Sequence, residues 1–199
     1  ADMHDKGTGR ISLAYLNRNT MPEHYLSDIT AYSLAYSPFD WAEISFTGLV
    51  RNVGGIVYQD RMASVKFRPL EEGRWWPSVV LGSNDPLSTV KTSADTDGNN
   101  SMCNFYLALS KHFETKAGTI GVHAAYRRFR KTANTRWNGL VGGLTFSPCF
   151  YPGARVTAEY DGAGFNIGAD VKLFKHFNLQ AICYGMRYFN CGICFEVNL

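Results

Sequence analysis

The chain lacks any run of about 18 apolar residues, and its mean hydropathy of -0.19 excludes a protein built mainly of membrane helices. Charge is scarce, with 19% Asp, Glu, Lys and Arg against roughly 25% in an ordinary soluble domain. The formal net charge is only +3, and no basic run is interleaved with aromatics as on an RNA-binding surface, so nucleic acid is not expected as a partner. The opening Ala1-Asp2-Met3-His4-Asp5 has neither a basic nor an apolar leader region; it fits a mature chain after cleavage equally well.

Signatures of chemistry are missing as well. Gly-x-Ser-x-Gly and the P-loop are absent, and the histidines His4, His24, His112, His123 and His176 show no ligand spacing. His123 falls on the inward face of its strand beside Thr119 and Arg127, which suits a lumen polar residue. Glu71-Glu72 falls in a tight turn and reads as solvated, while Glu159 and Asp161 share a strand face. Asp95 to Asn99 faintly resembles a calcium loop without its downstream Glu. Of the five cysteines, Cys191 and Cys194 form a single CxxC in a strand-like stretch, where residues three apart face opposite sides. They read, with Cys103, Cys149 and Cys183, as small apolar filler, or alternatively as a bridge from Cys183 to one of the pair. The expectation is no catalytic residue, no metal and no cofactor, and a protein that is not an enzyme.

What is present is Gly (19 residues), 14% aromatics and period-two alternation. Ala42, Ile44, Phe46 and Gly48 alternate with Glu43, Ser45 and Thr47, and Ala63, Val65 and Phe67 with Ser64, Lys66 and Arg68. The pattern returns from Arg155, from Phe165 and from Ile193. About twelve strands are expected, beginning near Arg10, Ile29, Trp41, Asp60, Arg74, Met102, Ala117, Asn138, Ala154, Gly164, Phe177 and Asn190. Every second connection is short and turn-like (37–40, 69–73, 113–116, 147–153, 174–176), whereas the others include the long ones (17–28, 51–59, 84–101, 128–137). Tight turns on one rim and long loops on the other belong to an up-and-down antiparallel transmembrane β-barrel, and a Greek-key sandwich has no reason for them. Phe39, Trp41, Trp75, Trp76, Phe113, Phe150, Tyr151, Phe174 and Phe177 cluster at the short turns, as an interfacial girdle would. The fold class is therefore all-β, a single barrel domain over residues 1–199, with both termini on the short-turn, periplasmic side of a Gram-negative outer membrane.

Several runs resemble the YjbH-type outer-membrane barrels: Asp60 to Gly82, with its Leu70-Glu71-Glu72-Gly73 turn, and Leu107-Ala108-Leu109-Ser110-Lys111. Gly139 to Leu144, Pro152-Gly153 to Glu159-Tyr160-Asp161, and Asn166-Ile167-Gly168 follow in the same order, so that the likeness covers most of the chain from about Gly9 onward. The resemblance implies a part in exopolysaccharide biosynthesis or export. Family members are often larger, and what their additional portions do is not carried over.

Two groups of side chains are candidates for function. Glu43, Lys66, Arg68, Arg155, Glu159, Asp170, Lys172 and Glu196 fall on inward faces with both signs of charge, which bilayer depth tolerates when they pair across a lumen. They are expected to plug the barrel. Arg127, Arg128, Arg130, Lys131 and Arg136 form a basic, aromatic loop on the opposite rim, either a solvated hairpin tip or a contact for lipopolysaccharide phosphates or an anionic glycan. Small residues such as Gly118, Gly142, Gly168 and Ala169 are expected on the lipid face, where another barrel or a lipoprotein could approach closely. The leading expectation is an accessory subunit of a larger outer-membrane complex for secretion, protein insertion or glycan export. A stand-alone role in exopolysaccharide export or anchoring is the alternative. Outer-membrane lipids are partners in either case.

Overall fold

A computed structural model describes residues 3–21, 27–86, 102–130 and 136–199. Twelve strands follow one another around a closed antiparallel barrel: β1 (Thr8–Leu16), β2 (Ile29–Phe39), β3 (Ala42–Val53), β4 (Ile56–Leu70), β5 (Ser78–Asn84) and β6 (Asn104–Glu114), then β7 (Gly118–Phe129), β8 (Gly139–Pro148), β9 (Ala154–Tyr160), β10 (Phe165–Leu173), β11 (Phe177–Tyr184) and β12 (Tyr188–Asn198). The seam is formed by β1 against β12, in register from Thr8↔Asn198 to Tyr15↔Cys191. Among the described residues no helix is long and apolar enough to cross a membrane.

The alternation in the sequence becomes an inside-out protein. Ile11, Leu13, Leu34, Ile44, Phe46, Val65, Leu81, Leu107, Leu144, Ile167 and Ile193 all lie exposed on the outer wall, while their neighbours in sequence turn into the lumen. A contiguous apolar surface of this extent belongs in hydrocarbon. At the short-turn rim Phe39 stacks on Trp41 at 4.8 Å and Trp41 meets Phe67 edge-on at 5.6 Å, with Trp75, Phe113, Phe150 and Phe174 exposed around them. Rings with a polar handle suit the boundary between acyl chains and headgroups.

Connections 40–41, 71–77, 115–117, 149–153 and 174–176 lie on that rim, and the described ends of the connections after β1, β5 and β7 (17–21 and 27–28, 85–86 and 102–103, 130 and 136–138) on the other. One expected long loop is instead a hairpin. Residues 51–59 continue β3 and β4, whose register runs on to Val53↔Ile56. Gly54 and Gly55 make the reversal at φ 62° and 88°, the left-handed values of a two-residue hairpin turn, and Asn52 accepts from the Gly55 N–H. At the opposite rim Trp75 and Trp76 belong to the turn before β5: the Gly73 N–H donates to Trp76 O, and Trp76 Nε1 donates to Glu71 O.

Two glycines on strands carry tyrosine rings. Gly48 is in register with Tyr32 on the outer wall and Gly82 with Tyr106 in the lumen, and each ring occupies the place a Cβ would take. The ring thereby covers the backbone that glycine leaves bare. Gly82→Val should displace the Tyr106 ring and cost about 1–3 kcal/mol. A urea titration of detergent-folded protein, followed by the heat-modifiable gel shift, would measure it; no change in midpoint would mean the ring does not depend on the glycine.

Candidate functional site in the barrel lumen

The lumen has two unlike halves. Toward the short-turn rim, inward charges meet across neighbouring or next-but-one strands. Lys66 Nζ lies 2.7 Å from Glu43, whose residue is only 4% exposed. Lys172 Nζ lies 2.7 Å from Glu196 Oε1, and Arg10 and His4 approach the other oxygen at 4.0 and 3.7 Å. Arg155 Nε donates to Asp170 at 2.9 Å, and at the other end of the same strand pair Asn166 Nδ2 donates to Glu159 at 3.2 Å. Arg68 donates to Asp40 O at 2.6 Å and stands 4.0 Å from Glu71. Each expected lumen residue thus faces inward beside a partner, mostly in adjacent pairs.

The N-terminal segment before β1 closes over this end. The Gly7 N–H donates to Ser37 O, the Lys6 N–H to Asp40 Oδ1, and Asn198 Nδ2 to Lys6 O. His4 then reaches Arg10 Nη1 at 2.7 Å. Burial, together with Arg10, holds the His4 imidazole below its ordinary value despite Glu43 and Glu196 nearby.

Toward the long-loop rim the lumen opens into a cavity of about 610 Å³. One wall is apolar: Leu16, Met21 and Met102 line it, backed by the buried Ile29 and Leu49 with Ala31 and Met62. The other wall is polar, with Arg127, Glu159, Tyr184 and Asn190. Asn190 pins the first long connection by accepting from the Asn17 N–H at 2.8 Å and donating to Thr20 Oγ1 at 3.0 Å.

The expected basic rim cluster divides. Arg127 is not on the rim surface: the strand pleat turns it inward, where it donates to Trp137 O at 3.1 Å and Asp161 O at 2.8 Å. Arg128 and Arg130 are exposed, and Arg136 lies 4.1 Å over the Trp137 ring while donating to Met21 O. Lys131 and the calcium-like Asp95 to Asn99 lie outside the described residues. Of the small residues expected on the lipid wall, Gly142 and Ala169 are there. Gly168 faces the lumen because Ile167 and Ala169 on either side face out, and Gly118 is packed against Ser147 O at a strand start. All five cysteines are free, and Cys191 (exposed) and Cys194 (buried) sit on opposite faces.

One constellation escaped sequence reasoning. Glu72 is not a solvated turn residue: its Oε1 accepts from the His112 N–H at 2.8 Å and lies 3.0 Å from Lys111 Nζ, and its Oε2 lies 2.7 Å from His112 Nδ1. Ser110 Oγ lies 2.7 Å from His123 Nδ1, and His123 Nε2 lies 3.0 Å from Thr145 Oγ1. The two imidazoles meet edge to face at 5.5 Å. The usable signal was the hairpin β6–β7, whose register Ser110↔His123 and His112↔Gly121 makes the two histidines diagonal neighbours.

Two predictions follow from these contacts. Lys66→Met, which strands the buried Glu43 carboxylate, should cost about 3 kcal/mol, and Glu43→Gln in the same chain should recover most of it; equal losses for the single and double variants would show that the pair is not coupled. Partial desolvation pushes the Glu72 carboxyl up, but the His112 N–H, the His112 ring and Lys111 outweigh it and hold it at about 2, against 4.5 ordinarily. A depressed carboxylate contributes fully above the unfolded value and loses that contribution as pH falls through the folded one. Unfolding midpoints should therefore drop as pH is lowered from 4.5 toward 2, and Glu72→Gln should flatten that part of the profile.

No protein-family model and no curated protein sequence matches the chain. Among solved structures, a mutant porin of Rh. blastica aligns with TM-score 0.34 and 14% identity over 85% of this chain and 55% of the porin, so that this chain spans about half the porin's length. Outer membrane phospholipase A from Escherichia coli aligns with TM-score 0.37 and 13% identity, over 97% of this chain and 95% of that one. The outer membrane phospholipase of Salmonella typhi gives TM-score 0.37 and 13% identity over 96% and 89%. An enzyme among the matched barrels corrects the expectation that the chain is not an enzyme: a barrel of this kind does not count against catalysis, and that expectation is withdrawn. At these identities and TM-scores the likeness goes no further than fold, and the fold class stands on the closed antiparallel barrel and its apolar outer wall.

Proposed function

We propose that the chain is an accessory barrel of a larger complex in a Gram-negative outer membrane, serving secretion, protein insertion or glycan export. The supporting observation is the short-turn half of the lumen, filled by the Glu43–Lys66, Lys172–Glu196 and Arg155–Asp170 pairs and covered by the segment around His4. Conduction is then not the protein's work, and its surfaces are what it offers. On the outer wall, Ala124, Gly142, Ala158, Ala169 and Ala181 come from five consecutive strands, β7 to β11, and leave the backbone within reach of another barrel or a lipoprotein. A second reading, a stand-alone role in exopolysaccharide export or anchoring, draws on the YjbH-type resemblance and on Arg128, Arg130 and Arg136 at the cavity's rim, which suit the phosphates of lipopolysaccharide or an anionic glycan.

A tagged copy extracted from the outer membrane in mild detergent should bring down partner barrels or lipoproteins in stoichiometric amount. Ala158→Leu with Ala169→Leu should lose them and keep the heat-modifiable fold. Recovery of the chain alone as a folded monomer sinks the subunit reading and moves attention to surface glycan in a deletion strain. In planar bilayers the purified barrel should show no large stable conductance; a steady open channel would remove the plugged lumen on which the proposal rests.

A further inference from the structure

The segment ahead of β1 folds back over the short-turn end of the lumen, and its described contacts divide into a base and a tip. At the base the Gly7 N–H donates to Ser37 O at 2.8 Å, the Leu199 N–H to Gly7 O at 3.0 Å and the Lys6 N–H to Asp40 Oδ1 at 2.8 Å. Gly7 makes the reversal at φ 82°, and a Cβ there would lie 2.8 Å from Leu199 O, so the pivot requires glycine. None of the base contacts involves an imidazole. At the tip the hold is a side chain, with Arg10 Nη1 2.7 Å from His4 Nε2.

A guanidinium has donors only, so His4 Nε2 accepts in that bond and carries no proton. The charges around the ring come from four strands: Arg10 on β1, Glu43 on β3, Lys66 on β4 and Glu196 on β12, whose Oε2 lies 3.7 Å from His4 Nδ1. Its chain neighbours Asp5 and Lys6 are exposed. Both carboxylates are already engaged, Glu43 by Lys66 and Glu196 by Lys172 of β10, each at 2.7 Å. With His4 neutral, Arg10, Lys66 and Lys172 thus share two carboxylates. A proton on His4 adds a further cation and sets an N–H donor against the Arg10 donor. Burial, and then Arg10, hold the lodged imidazole below its ordinary 6.5. Lodging is therefore fully supported above 6.5 and loses that support as pH falls below it.

We propose that this segment is an acid-released plug: the Arg10–His4 bond holds its tip in the lumen while His4 is neutral, and protonation of His4 frees the tip to swing out about Gly7 while the base stays bonded. Release uncovers Arg10, Glu43 and Glu196 toward the short-turn side, so acid alters what the lumen presents there. Histidine suits the task because its ordinary change of charge falls between about pH 5 and 8. The device goes beyond the accessory-barrel reading and stands whether or not the barrel has partners.

The test exposes the full chain, folded in detergent, to proteinase K at about pH 7.5 and about pH 5, on either side of the histidine range. Mass spectrometry reads cleavage ahead of Gly7, and a free peptide of residues 1–9 corrects for the protease's own dependence on pH. Corrected cleavage of the wild type should be roughly tenfold faster in acid, as loss of one hydrogen bond to a charged group implies. H4Q, whose amide oxygen accepts from Arg10 at either pH, should stay protected at both, and R10Q should be cleaved at both. Heat-modifiability on gels checks the fold of each variant. Because R10Q removes an inward charge and could fail to fold, the wild-type His4 imidazole resonance, identified by its loss in H4Q, provides a second reading. It should titrate over the same pH range as the cleavage. Equal cleavage of the wild type at the two pH values, an acid response retained by H4Q, or a His4 titration above 6.5 would each overturn the proposal.

Discussion

Hydrocarbon offers no partner to a backbone N–H or C=O, and each one left unpaired there costs several kcal/mol. The β1–β12 seam meets that constraint, and the rest of the molecule depends on it. With the seam formed, every strand has two neighbours in a single closed order, no edge faces lipid, and side chains are left to sort by pleat alone. Closure brings the first and last strands together, so the segment around His4 lands beside Glu196 and Asn198 and can cover the lumen.

Once closed, the sheet separates two solvents along every strand. The outer wall takes the large apolar side chains, and what stays inside must satisfy itself. Charges in so confined a space are costly alone and tolerable in hydrogen-bonded pairs. That explains why Glu43 and Asp170 each meet a cation within 2.9 Å on an adjacent strand, and why Glu196 meets Lys172 at 2.7 Å from two strands away. Cross-strand neighbours are the pairs whose distance the sheet itself fixes, so the Glu43–Lys66 and Arg155–Asp170 bridges also hold their register.

Much of this was legible in the sequence because period two and turn sidedness are local signals. The inward set from Glu43 to Glu196 follows directly from alternation, as do the aromatic rim and the opposite faces of Cys191 and Cys194. Local reading failed where geometry depends on a neighbour. Gly54-Gly55 looked like part of a loop because the hairpin continuing through it is visible only once Val53 and Ile56 are paired. Arg127 was grouped with Arg128 and Arg130 by composition, although a strand still in register turns it into the lumen. Glu72 looked solvated because its partner His112 is distant in sequence and approaches only when β5 ends short of the end of β6.

That early end of β5 links fold to site. The β5–β6 register stops at Ser78↔Ser110, so Lys111 and His112 run on without a β5 partner on that side. The turn before β5 supplies substitutes: the Glu72 carboxylate accepts the His112 N–H, and Gly73 O accepts from Lys111 Nζ. A side chain recruited to complete a sheet edge thereby holds an imidazole, and the imidazole faces a second one across Gly121. The same seven-residue turn carries Trp75 and Trp76 at the membrane rim. Anchorage in the bilayer, completion of the sheet and orientation of the lumen histidines therefore rest on one short segment, and a change in any of the three is transmitted to the others through Glu72.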